Sequence, residues 1–126
     1  MKFQPDRIDG LAVSAYAPSW LAVNGVRYSH SLLINASGLV QAWPCNYFAD
    51  IETIHLDLVA PQEAEIVLLG CGKKQIFPGA TLTSAFLARG MGLETMNTAA
   101  ACRTFNILAS EGRKVAAILL LEEPEV

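Results

Sequence analysis

The sequence predicts an α/β domain in which N-terminal β-hairpins are followed by a β-α-β-α-β unit. Three observations carry this. A chain of 126 residues has the length of one domain and is long enough to bury a core, so residues 1–126 are read as a single domain. Residues 66–79, IVLLGCGKKQIFPG, pass from a continuous apolar run into a glycine-rich turn. Residues 93–120, LETMNTAAACRTFNILASEGRKVAAILL, then give strand, helix and strand in that order.

Taken in order, Leu11, Val13 and Ala15 alternate with Ala12, Ser14 and Tyr16, the period of a half-buried strand. Trp20 and Ala22 lead to Asn24-Gly25, a pair that supplies the positive φ angles of a two-residue hairpin turn, and a return strand is expected over 26–34. The turn Asn35-Ala36-Ser37-Gly38 leads to a short strand over 39–43, stopped by Pro44. Between 48 and 60, Ile51, Ile54, His55 and Leu58 have helical spacing while Ile54, Leu56 and Leu58 alternate. A short helix from about Asp50, ended by Pro61, is the expectation. Ile66 to Leu69 is the continuous run of a strand buried on both faces. Leu82, Ala85, Phe86 and Arg89 follow helical spacing, with Thr81 as cap and Gly90 as terminator. A short strand over 93–96 precedes a helix capped by Thr98, with Cys102, Phe105, Leu108 and Ala109 inward and Gly112 at its end. The last strand is expected over 115–121, and Glu122, Glu123, Pro124 and Glu125 form a solvated tail.

The composition excludes several classes. The hydrophobic fraction of 52% lies above the usual roughly 45–50%, and the charged fraction of 17% below the usual ~25%, so some apolar surface is expected outside the core. A protein partner or a second copy of the chain would cover it. A net charge of −3, with no basic run longer than Lys73-Lys74, argues against nucleic acid. The longest strongly apolar run, 115–121, is far short of the roughly 20 residues that cross a bilayer, and direct membrane insertion is not expected. The opening MKFQPDRIDG has neither secretory nor transit character, so a cytoplasmic location is expected. Cys45, Cys71 and Cys102 are odd in number and widely spaced, which fits reduced thiols rather than disulfides or a metal motif.

The candidate site follows from topology. If strands 65–69 and 93–96 are parallel neighbours, the loop Gly70, Cys71, Gly72, Lys73, Lys74 and the helix start Asn97-Thr98 emerge at one edge of the sheet. Arg103, one turn further, is placed to lean toward it, and the helix dipole adds positive potential. That makes a cleft between loop 70–74 and the start of helix 98–111 suited to an anionic group. The plainer reading is a structural turn with solvated lysines, and with Arg103 paired to Glu94 or Glu111. The glycines do not make a dinucleotide fingerprint, since the third is missing and residues 73–79 intervene before the helix. Cys71, between glycines and beside lysines, lacks a neighbouring base. His30 and His55 have no nucleophile elbow to join and no i, i+4 ligand pair, so no catalytic residue, metal or cofactor is assigned. Asn106, mid-helix, asks for a hydrogen-bond partner, expected to be loop backbone.

Gly70-x-Gly72, Pro78, Met96-x-Thr98-x-Ala100-Ala101, Thr104-x-Asn106-x-Leu108, Glu111-Gly112-Arg113 and Val115-Ala116-Ala117 recur in one order. On these blocks, over its whole length, the chain resembles the family of mitochondrial respiratory complex I assembly factor three and the adipogenesis-associated Mth-domain proteins. It departs from the pattern at Cys71, where the family has Thr, and at Asn97, where it has Asp. The resemblance implies a three-layer α/β domain with a mixed central sheet, and small bacterial and archaeal members without assigned activity. It also implies a non-enzymatic, protein-binding assembly role, with a membrane-associated complex as the kind of partner. An anion-binding protein or enzyme using the 70–74 cleft is the alternative.

Overall fold

The computed structural model describes residues 10–124. Expectations drawn from the first nine residues, and from Glu125, lie outside them. Eight strands form two sheets. β1 (Val13–Ala17), β2 (Trp20–Val23) and β3 (Val26–Tyr28) make an antiparallel meander. β4 (Leu32–Asn35), β5 (Val40–Ala42), β6 (Ile66–Gly70), β7 (Gly92–Met96) and β8 (Val115–Leu119) make a mixed sheet of order β5-β4-β8-β6-β7. The β5, β4 and β8 pairings are antiparallel, and β6 runs parallel to both β8 and β7.

The period-2 pattern of this sheet divides the core between its two faces. Leu33, Val67, Leu69, Ala116 and Ile118 face one way, toward Phe86 of α2 (Ala80–Ala88) and Leu56 and Val59 of α1 (Leu56–Val59). Leu32, Ile34, Leu68, Ala117 and Leu119 face the other, toward Ala101, Cys102 and Phe105 of α3 (Thr98–Ser110) and toward Val13, Leu21 and Val23 of the meander. The result is a three-layer, mixed α/β domain. β8, VAAIL, is buried along its whole length, as a strand covered on both faces must be.

The Asn24-Gly25 turn forms with φ of 47° and 84°, the pair of left-handed residues that the hairpin between β2 and β3 needs. The return run does not continue to residue 34, however. It breaks at Ser29-His30-Ser31, so that β3 stays with the meander and β4 crosses to the central sheet. Ser31 is wholly buried at this crossing; its hydroxyl accepts from the Leu121 amide (3.3 Å) and its carbonyl from the Trp43 amide (2.9 Å).

Residues 48–62 are three single 3-10 turns around α1 rather than one helix, and Pro61 sits inside the last turn instead of ending the segment. Its missing amide is one that a first turn leaves unbonded in any case. α2 starts after Gly79 without a side-chain cap, and Thr81 lies within it. Asn97, not Thr98, caps α3: its Oδ1 accepts from the Ala100 amide at 2.8 Å. The tail is tethered, since the Glu123 amide donates to the Pro18 carbonyl (2.8 Å).

Candidate functional site

β6 leads to α2 on one face of the sheet and β7 leads to α3 on the other, so the chain parts at the carboxyl ends of these parallel neighbours. This is where an open α/β sheet leaves a crevice. Here the chain fills it. Gly70 lies so close to α3 that a Cβ would meet Thr98 Cα at 2.9 Å. The Cys71 amide donates to the Met96 carbonyl (2.8 Å), and the Thr98 amide to the Gly72 carbonyl (2.9 Å). The Gly72 amide donates to Thr98 Oγ1 (2.8 Å), whose hydroxyl donates in turn to the Leu120 carbonyl. Thr98 is therefore freed from capping by Asn97 and ties together the ends of β6, β8 and α3. The Gly72, Thr98 and Ala100 amides, which an anion would use, are all bonded within the chain.

The remaining predicted residues divide. Lys73 and Lys74 are exposed at this edge. Arg103 is turned away, its Nη1 donating to the Tyr16 hydroxyl (3.0 Å) rather than pairing with Glu94 or Glu111. Cys71 is buried; its Sγ donates to the Leu69 carbonyl (3.5 Å), and burial pushes its thiol up despite two backbone hydrogen bonds that oppose the shift. A nucleophile needs the opposite shift. Asn106 finds strand rather than loop backbone: its Oδ1 accepts from the Val13 amide (2.8 Å) and its Nδ2 donates to the Val13 carbonyl (2.9 Å).

Two features escaped the sequence. The first is the segment 73–79. Gln75 Nε2 donates to the Thr95 carbonyl on the outer strand β7 (3.0 Å), and beyond it Ile76 and Phe77 stand 41% and 83% exposed. Neither packs against a core cluster. Burying a phenylalanine is worth about 1.5–3 kcal/mol, and this one is left in water. The only hint in the sequence is an apolar pair lacking helical or strand partners. The second is a Cys–His contact. Cys45, in the loop after Pro44, is buried, with its Sγ 3.4 Å from His55 Nε2. His55 Nδ1 accepts from the Glu52 amide (2.9 Å), which assigns the proton to Nε2. The ring thus donates toward the sulfur and cannot take its proton there. Burial, with Asp50 and Glu52, pushes this thiol up as well.

A cleft of about 550 Å³ lies at the opposite end of the parallel strands, lined by Asn35, Gln62, Glu63, Arg113 and Lys114 among others. None of the predicted site residues reaches it. Among the described residues there is no group of three His, Cys, Asp or Glu able to hold a metal, and no helix long and apolar enough to cross a membrane.

Residues 13–120 match the family described as protein of unknown function, DUF498/DUF598. The chain belongs to this DUF498/DUF598 family. Among solved structures similar to this chain, a crystal structure from Bordetella parapertussis has 38% identity and a TM-score of 0.84, covering 91% of this chain and 98% of that one. A solution structure from Bordetella pertussis, described as a Mth938-like domain, has 31% identity and a TM-score of 0.82, covering 92% and 89%. Among relatives, NADH dehydrogenase [ubiquinone] 1 alpha subcomplex assembly factor 3 of Danio rerio is 28% identical over 93% of this chain and 68% of its own length. A protein of Francisella tularensis called 13 kDa major membrane protein is 28% identical, over 95% and 99%. These findings bear out the Mth-domain and assembly-factor resemblance of the sequence.

Proposed function

We propose that this DUF498/DUF598 domain is a non-enzymatic binding module that contacts another protein, in the manner of an assembly factor, along the edge formed by loop 70–74 and the start of α3. Lys73 and Lys74 make the contact, and Gly70, Cys71, Gly72, Asn97 and Thr98 fix the loop that bears them. One observation carries the reading: the crevice where such sheets bind small ligands is filled by Thr98, while the adjoining segment holds Ile76 and Phe77 in solvent. Exposed apolar groups rimmed by charge mark interaction surfaces. Relatives named as NADH dehydrogenase assembly factors favour a protein complex as partner, which we take to be a membrane-associated one. The three cysteines, all free and buried, accord with a reducing, cytoplasmic setting.

The test is capture from detergent-solubilised lysate by the tagged protein beside its Lys73→Glu/Lys74→Glu variant. Proteins recovered by the parent and lost by the folded variant support the reading; equal recovery sinks it. The alternative, an anionic small molecule in the same crevice, has less support because the Gly72, Thr98 and Ala100 amides are already bonded. A homodimer covering the apolar surface would show as doubled mass in solution.

A further inference from the structure

We propose that the tip of segment 73–79 seats the domain on an anionic bilayer surface, with Ile76 and Phe77 entering the headgroup region and Lys73 and Lys74 against lipid phosphates. The inference rests on the reading of this edge as a contact surface and names the kind of surface its tip fits.

Shape comes first. Phe77 is a knob, 83% exposed, rather than one wall of a groove. A protein would have to supply a preformed pocket for it, whereas a bilayer yields to any small convex apolar tip. The tip is also held outward. Gln75 is anchored to the Thr95 carbonyl at 3.0 Å, Cys71 Sγ lies 3.8 Å from the Ile76 carbonyl, and Pro78 restricts the chain on the far side. Phe77 therefore does not exchange its exposure for a contact on its own domain.

Charge adds the second argument. The chain carries a net −3, which disfavours an anionic surface taken as a whole, so any approach must be oriented. Lys73 and Lys74 provide that orientation beside the knob. Among the described residues the single ion pair is Arg89 with Asp57, so no described carboxylate lies within ion-pairing distance of either lysine. The described part of the tail reaches the foot of the loop, with Glu122 Cα 3.9 Å from where a Gly72 Cβ would lie. Long lysine stems can lie along the interface while their ammonium groups meet phosphates. No helix among the described residues is long and apolar enough to cross the membrane. A tip of this size gives weak, reversible residence, which a membrane-resident protein partner would complete.

The experiment is flotation of the intact protein with vesicles of phosphatidylcholine alone and with roughly 30% phosphatidylglycerol, at low and high salt. The parent is expected to float with the anionic vesicles and to be released by salt. Phe77→Ser and Lys73→Glu/Lys74→Glu, both at exposed positions, are expected to lower partitioning by about tenfold each, and Phe77→Trp to retain it. A parent that stays unbound, that binds both vesicle types equally, or that Phe77→Ser leaves unaffected overturns the proposal. If vesicles are ignored but Lys73→Glu/Lys74→Glu still abolishes capture of proteins from lysate, the lipid inference falls and the protein-contact reading stands. If neither vesicles nor captured proteins distinguish the variants, both fall.

Discussion

Thr98 stands at the first residue of α3, where a hydroxyl beside the free amides of a helix start commonly serves the helix itself. The structure assigns capping to Asn97 and leaves the Thr98 hydroxyl to bridge two other segments, accepting from the Gly72 amide and donating to the Leu120 carbonyl. Valine keeps the shape and removes both bonds, so Thr98→Val orphans a buried donor and a buried acceptor. We expect a loss of about 1–3 kcal/mol for each orphaned group, read as a lower urea midpoint, with Thr98→Ser much closer to the parent. A midpoint for Thr98→Val equal to the parent's would show that the strand ends are held by something else. Gly70 belongs to the same contact, since any side chain there meets Thr98.

Among the elements, α3 is both the best read and the most consequential. Its apolar face and its end at Gly112, with φ of 79°, were legible, because Cys102, Phe105, Leu108 and Ala109 recur at helical spacing and the glycine takes the left-handed position, while its cap proved to be Asn97 rather than Thr98. Asn106 was flagged as a polar residue in need of a partner, and it binds both backbone groups of Val13, attaching the meander to the helix. Asn106→Leu leaves those groups unpaired. Hydrogen exchange at Val13 and along β1 is expected to accelerate by tenfold or more while β6 and β8 stay protected; unchanged exchange in β1 would mean that packing alone holds the meander. The illegible elements were those whose shape is imposed from outside. The run 26–34 reads as one strand, yet its change of sheet depends on Ser31 bonding to Leu121 and Trp43, partners far along the chain. The turns of 48–62 mix two periods, and Cys45 meets His55 only because those turns fold back. Phe77 misleads in another way, since an apolar residue is read as core unless its neighbours are known.

For the molecule as a whole, three buried thiols make alkaline pH a shared liability. Burial pushes Cys102 from its ordinary 9.0 up to about 12, only partly opposed by Arg103, and raises Cys71 and Cys45 as well. A thiol whose folded pKa is raised stays neutral in the native state while the unfolded chain ionises. The stability it contributes is complete below about pH 9 and is lost as pH climbs toward 12, on the order of 1 kcal/mol per pH unit. The urea midpoint of the parent should fall more steeply above pH 9 than that of Cys102→Ala, whose lower starting stability reflects the lost sulfur. Parallel slopes would show that Cys102 does not drive the alkaline loss. The candidate edge was legible as a place, because strand order and strand direction follow from the buried runs. Its filled interior was not, because closure depends on the one hydroxyl that leaves its own helix.

β8 lies at the centre of the mixed sheet, between β4 and β6, yet it is the last strand among the described residues. A ribosome delivers the two neighbours long before the strand that joins them, β4 some eighty residues earlier. Until then β4 and β6 each present an unpaired edge and half a core, with no native partner to close them. Completion therefore waits until β8 has been made, when one five-residue insertion joins both halves of the sheet at once. A chain that has made β4 and β6 but not β8 therefore carries two open strand edges of the kind that invite wrong pairing.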